Sequence, residues 1–120
     1  MRRNRRQYIK VKEEARALVR SRLAHFNAHY KLKVGKIFIK NHKSRWGSCS
    51  AKGNLNFNYK IAFLPPEITD YIIVHELCHI GEFNHSDRFW RLVGEALPHH
   101  KKLRLALRKL ERGKHTVSDI

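Results

Sequence analysis

An α+β domain is predicted: a long N-terminal helix, a three-stranded and mostly antiparallel sheet, a buried central helix, and two C-terminal helices. Three observations carry this prediction. Apolar residues recur at three- and four-residue steps over residues 10–30, residues 54–59 alternate strictly, and residues 68–80 are apolar almost all round. The 120 residues, 42% of them hydrophobic, allow one domain with one modest core. That domain is expected to span 1–120, with 1–7 as a basic arm and 114–120 as a tail.

The first helix is read from about Lys10 to Tyr30, with Val11, Ala15, Leu18, Val19, Phe26 and Tyr30 on its apolar face and Arg22 contributing its stem. Glu13 and Glu14 fall in the early turns, which the helix dipole favours. His25 and His29 are four apart but are read as surface histidines. Residues 34–40, centred on Ile37-Phe38-Ile39, have the composition of a strand. Residues 45–50 and 54–59 form a predicted hairpin closed by Gly53. In its second arm Leu55, Phe57 and Tyr59 face one way and Asn54, Asn56 and Asn58 the other. The asparagine face is expected to stay wet, as an edge or a cleft wall would.

Pro65-Pro66 stops the apolar run Ile61-Ala62-Phe63-Leu64 and opens the central helix, where proline is tolerated in the first turn. Past Asp70, this buried stretch carries His75, Glu76 and His79 among apolar neighbours. Buried charge is unfavourable unless paired or coordinated. Gly81 is expected to end the helix in a left-handed conformation. Ser86 is the predicted N-cap of a helix over 87–97. Pro98 separates it from a last helix over about 99–112, whose buried face is Leu103, Ala106, Leu107 and Leu110.

The chemistry is concentrated in Val74-His75-Glu76-Leu77-Cys78-His79-Ile80-Gly81-Glu82-Phe83-Asn84-His85. Histidines four apart share one helix face, at a separation that lets both imidazoles bind one zinc ion. Glu76 lies about 100° around the helix from His75, suited to take the proton of an attacking water. On an unbroken helix His85 would point about 240° away from His79. A break near Gly81 returns it as the third ligand. Glu82 is the rival, because seven residues from His75 it would share the same face. One zinc per chain is expected, since three protein ligands leave a fourth position open for chemistry. Arg45, Asn58, Tyr59 and Tyr71 are candidates to stabilise the developing oxyanion. Cys78 points off the metal face and is read as a buried apolar residue.

Charge is the other strong feature, with 26 Lys and Arg against 10 Asp and Glu, net +16. Residues 1–45 carry 15 basic and 2 acidic side chains, net +13; residues 46–98 carry 4 and 6, net −2; residues 99–120 carry 7 and 2, net +5. Basic flanks attract polyanions by counterion release, so a nucleic acid or nucleotide stands as a candidate partner beside a merely solvated surface. No apolar run approaches the roughly 18 residues of a membrane span. The basic N-terminus is followed by a polar stretch and not by a leader's apolar segment, so a cytoplasmic location with no membrane partner is expected. Cys49 and Cys78 make no disulfide framework.

Several blocks together resemble the YgjP-like metallopeptidase family, a zincin branch related to SprT-like and WLM proteins. They are Arg45-Trp46-Gly47-Ser48-Cys49-Ser50, Gly53-Asn54-Leu55-Asn56-Phe57-Asn58, Leu64-Pro65-Pro66, the run Asp70 to His79, and Asn84-His85-Ser86 with Phe89-Trp90. The resemblance implies a zincin-like fold, zinc on His75, His79 and His85, and Glu76 as the catalytic acid/base. It also implies a peptide or protein substrate lying against the strand before the active-site helix. Hydrolysis of a nucleoside triphosphate's phosphoanhydride is an alternative, as is a DNA-associated role, either as a SprT-like protease or as a non-catalytic nucleic-acid binder.

Overall fold

In the computed structural model, which describes residues 4–112, the element order is α1 (Arg5–Tyr30), β1 (Ile37–Lys40), β2 (Gly47–Cys49), β3 (Leu55–Asn58), a short 3-10 helix (Tyr59–Phe63), α2 (Pro66–Gly81), α3 (Asp87–Ala96) and α4 (His100–Glu111). The expected α+β architecture is present. Helix α1 starts earlier than its apolar pattern does. The Asn4 side chain accepts a hydrogen bond from Gln7 N at 2.9 Å, so residues 5–7, read as part of a basic arm, form the first helical turn. Residues 1–3 of that arm and the 114–120 tail lie outside the described residues.

The sheet order is β1-β3-β2, with β2 antiparallel and β1 parallel to β3. The sheet is therefore mixed where a mostly antiparallel one was expected. The chain leaves β1, crosses to the far edge to form β2, then turns at Gly53 (φ 82°) and places β3 between them. Asn58 explains how the crossing is held. Its side-chain amide donates to His42 O at 3.0 Å and Arg45 O at 2.9 Å, two carbonyls of the crossing segment. Asn58 is thus 1% exposed and β3 is the central strand, so its asparagine face is not a free edge, although Asn54 and Asn56 remain part-exposed.

Leu55, Phe57 and Tyr59 are fully buried, as the alternation requires, and meet Ala15, Val19, Leu23 and Phe26 of α1 in one core with α2. Residues 61–63 continue from β3 as a 3-10 turn and not as extended chain. Ile61 O at that turn accepts from the buried Thr69 hydroxyl at 2.7 Å, which fixes the entry to α2. Arg22 of α1 forks onto Asp70 of α2 with N–O distances of 2.8 and 2.9 Å. The Tyr30 hydroxyl donates to Leu92 O at 2.6 Å and ties α1 to α3. Helix α2 is buried from Tyr71 through Cys78, so whatever it carries on its open side is held by a rigid element.

Candidate active site

Helix α2 ends at Gly81, but not by a left-handed glycine. Glu82 caps it in an extended conformation (φ −139°), its N–H on Cys78 O. A Cβ at Gly81 would stand 3.1 Å from Leu92 Cδ2 and 3.5 Å from Leu32 Cδ2, so a larger residue would press on the tip of the Leu92 side chain. The chain then reverses over 82–86, and Ser86 caps α3 by accepting from Phe89 N. This reversal brings His85 to the helix histidines.

The three Nε2 atoms of His75, His79 and His85 converge. Their separations are 3.2 Å (His75–His79), 2.9 Å (His79–His85) and 3.1 Å (His75–His85). Three bare nitrogens at such spacing repel unless something positive lies between them. The protonation pattern is consistent with that. His79 Nδ1 lies 3.1 Å from Glu82 O, which can only accept, so the His79 proton sits on Nδ1 and Nε2 presents a lone pair. Nitrogens bound tetrahedrally at 2.0–2.1 Å stand about 3.3–3.4 Å apart. The observed triangle has the size such a ligand set needs, slightly contracted, and three imidazole donors are of a kind that suits zinc. His75 is 2% exposed and its pKa is pushed down to about 2, first by burial and then by the charges of His79, His85 and Arg104. It is a neutral imidazole at ordinary pH.

Aromatic rings hold this geometry. Phe89 stacks on His79 with centroids 4.4 Å apart and planes at 20°, and Trp90 stacks on His85 at 5.9 Å and 26°. Phe89 also stands edge-on to His75 at 4.9 Å. Helix α3 thus braces ligands from both α2 and the reversal.

Glu76 is 3% exposed and opens onto the same cavity of about 210 Å³ as the three histidines. Its opposite wall is β2. Gly47 lies so close that a Cβ would be 3.0 Å from Glu76 Cγ and 3.3 Å from Oε2. Arg45, Ser48 and Cys49 complete that wall, with Phe83 at the mouth. Burial, then the Glu76 charge, raises the Cys49 thiol to about 11.

The other sequence candidates fall elsewhere. Tyr59 is fully buried and donates its hydroxyl to Gln7 Oε1 at 2.7 Å. Asn58 is committed to the crossing segment, and Tyr71 is fully buried on α2, so Arg45 is the oxyanion candidate that reaches the cavity. Glu82 supplies a backbone carbonyl to His79 and is absent from the convergent cluster. His29 pairs with Glu95 at 2.8 Å, a partner the sequence did not reveal. Gly47 and Phe83 were not singled out. A glycine inside a strand marks a close approach, and that was the available signal for Gly47. A larger cavity of about 520 Å³ lies between α1 and β1, away from these groups.

A YgjP-like metallopeptidase domain model matches residues 2–110. Among solved structures, the metallopeptidase zymogen of Pyrococcus abyssi abylysin is similar at 25% identity and a TM-score of 0.72, covering 82% of this chain and 99% of that one. The metallopeptidase zymogen of Methanocaldococcus jannaschii jannalysin is similar at 26% identity and a TM-score of 0.62, covering 79% and 94%. No curated protein matches significantly. Among the described residues no helix is long and apolar enough to cross a membrane. With a matching domain model over nearly its whole length and zincin-like metallopeptidases as structural neighbours, the chain belongs to the YgjP-like metallopeptidase family and is a metal-dependent hydrolase.

Proposed function

We propose that the protein is a zinc metallopeptidase that holds one zinc ion on His75, His79 and His85 and uses Glu76 as general base. The observation that carries this reading is the triangle of Nε2 atoms with a buried carboxylate on the same cavity wall. A bound zinc supplies Lewis-acid polarisation of the scissile carbonyl and acidifies water. Glu76 takes the proton of the attacking water and hands it to the leaving nitrogen. Its burial against Gly47 keeps the carboxylate in one position and shields it from bulk water. Arg45, at the cavity wall, is the cation available to a developing oxyanion or to a substrate carboxylate.

The substrate lies along β2 and not along β3, because β3 already has a neighbour on each side. Trp46 O accepts from Asn58 N at 2.8 Å and Ser50 N donates to Asn54 O at 2.9 Å. By the alternation of an antiparallel ladder, the backbone groups of Gly47 and Cys49 then point away from β3. They form the free edge to which an extended peptide adds.

A second reading, hydrolysis of a nucleoside triphosphate's phosphoanhydride, draws on the cations Arg45, Lys33 and Lys52 around the cleft. One screen separates the two. Zinc-loaded wild type and Glu76→Gln are each given a peptide library and the four nucleoside triphosphates, with metal quantified per chain. The peptidase reading expects peptide cleavage by wild type, loss of at least about 10²-fold in Glu76→Gln, and equal zinc in both. Nucleotide cleavage without peptide cleavage overturns it. A steeply salt-dependent DNA affinity with no hydrolysis of either class would mark a nucleic-acid binder.

A further inference from the structure

The cavity that holds Glu76 and the three histidines is half of a longer cleft. A second cavity of about 260 Å³ adjoins it, and the two share His79 and Phe83 as walls. The second is lined by the turn after β2, including Ser50, Lys52 and Gly53, and by Lys33 and Ile80. Phe83 is 59% exposed, with its ring 6.2 Å from that of His79. The cleft therefore runs along the free edge of β2, with the histidines near its middle. From Arg45 to Ser50 the extended backbone covers about 17 Å, the length of about five substrate residues.

Histidines apart, the cleft's charged side chains are unevenly signed. Arg45 lines the first cavity, Lys33 and Lys52 line the second, and the one acidic residue of the two linings is Glu76. Arg45, Lys33 and Lys52 are all exposed, whereas Glu76 is buried at the floor and reserved for the proton. The remainder of the lining is apolar or small and neutral. A chain passing through thus meets a cation before the reacting centre and two after it.

We infer that Arg45 on one side, and Lys33 with Lys52 on the other, form two cationic subsites that select peptides bearing Asp or Glu side chains on both sides of the scissile bond. This inference rests on the peptidase reading above. A two-ended cleft with an exposed backbone edge fits a chain that continues in both directions. A nucleotide's phosphates end at one side and would leave the opposite cations unused. Phe83, between the two cavities, offers its face to the residue beside the scissile bond.

The test uses the zinc-loaded full chain and three quenched fluorescent peptides of one length. They carry Glu, Ser or Lys two residues to either side of a common central dipeptide, and mass spectrometry locates the cut. The Glu peptide is expected to exceed the Lys peptide in kcat/KM by about tenfold, with the ratio shrinking as salt rises. Arg45→Glu is expected to reverse the preference on one side of the cut only, and the pair Lys33→Glu with Lys52→Glu on the other. Mixed peptides, with Lys on one side and Glu on the other, read the two sides separately. A structural role for these exposed residues, or an oxyanion role for Arg45, would lower all rates together and leave the ratios unmoved, and that result overturns the subsite assignment. Equal kcat/KM for the three peptides overturns the inference and leaves the peptidase reading standing. Cleavage of nucleoside triphosphates with none of the peptides cut overturns both.

Discussion

Gly47→Ala is a one-methyl perturbation aimed at the geometry of Glu76. The added Cβ would stand 3.0 Å from Glu76 Cγ and 3.1 Å from Asn56 O. Carbon atoms pack comfortably at about 3.5–4.0 Å, so the methyl is short of room by about half an ångström on the Glu76 side. It is short on the Asn56 side as well, so moving away from one neighbour drives it into the other. Asn56 O belongs to the β2–β3 pairing, with Ser48 opposite Asn56, and is the harder of the two to displace. The Glu76 side chain is therefore what yields, and its Oε2, 3.3 Å from the new methyl, moves with it. A misplacement approaching 1 Å reduces rate by about 10²-fold, and the general base as a whole contributes about 10²–10⁴. The expected loss in kcat/KM is about 10- to 100-fold, with zinc content per chain unchanged because the methyl's nearest neighbours are Glu76 and Asn56 and not the histidines. Overpacking should lower stability by about 1–3 kcal/mol. Because both changes act through one carboxylate, Gly47→Ala on a Glu76→Gln background should remove little further activity. Wild-type kcat/KM in folded Gly47→Ala would refute the claim that Gly47 positions Glu76, and so would an additive double variant.

Other expectations follow from burial and charge. His75 has a folded pKa of about 2 against about 6.5 when unfolded, so the unfolded chain binds the proton first. Stability of the metal-free protein is then complete above about pH 6.5 and declines on acidification, by about 1 kcal/mol between pH 7 and 5.5. Burial lowers His100 too, in the same direction; a urea midpoint flat across that range would contradict both assignments. Cys49, raised to about 11, should react with iodoacetamide at pH 8 about 10²-fold more slowly in the folded protein than in urea. Equal labelling would mean the thiol is ionised in the cleft. Trp46→Phe removes the indole N–H that donates to the buried Glu111 carboxylate at 3.1 Å. Calorimetry should show a loss of about 1–3 kcal/mol, and no change would mean that Arg108, 3.7 Å from the other oxygen, satisfies Glu111 alone.

What could be read without coordinates was whatever a local period or a local break encodes. Leu55, Phe57 and Tyr59 declared their buried face, and Ile68 to Ile80 declared a buried helix. The return of His85 followed from helix geometry, since no continuous helix can bring it back. Three things were not local. Strand order depends on which side of β3 the chain from β1 passes, and no period records that. Asn58 has the alternation of a wet face but is buried because a crossing segment lies over it, and its partners are 13 and 16 residues away in sequence. Gly81 looked like a left-handed terminus because glycine commonly serves there. Its φ is not left-handed, and its neighbours Leu92 and Leu32 come from parts of the chain that are remote in sequence. The start of α1 was missed because Arg5, Arg6 and Gln7 have no apolar stripe, while the Asn4 cap and helix propensity suffice to begin it.

The site divides its three histidines between a rigid helix and an exposed chain reversal, and the division has a physical consequence for the proposed metal site. His75 and His79 are fixed by α2, whose surroundings are buried almost throughout. His85 lies on an exposed segment with no regular structure and owes its position to Trp90 and to the Ser86 cap that starts α3. On the proposed assignment, metal affinity should therefore depend on how firmly α3 is docked. Anything that loosens α3, including loss of the Tyr30 hydroxyl bond to Leu92 O, should weaken the third ligand before it disturbs the two on α2. The Phe89 stack on His79 couples the halves, because that ring touches both ligands of α2 and His85 together. A short motif on a helix thus becomes a convergent three-histidine site through the helix that follows it, not through further residues of its own.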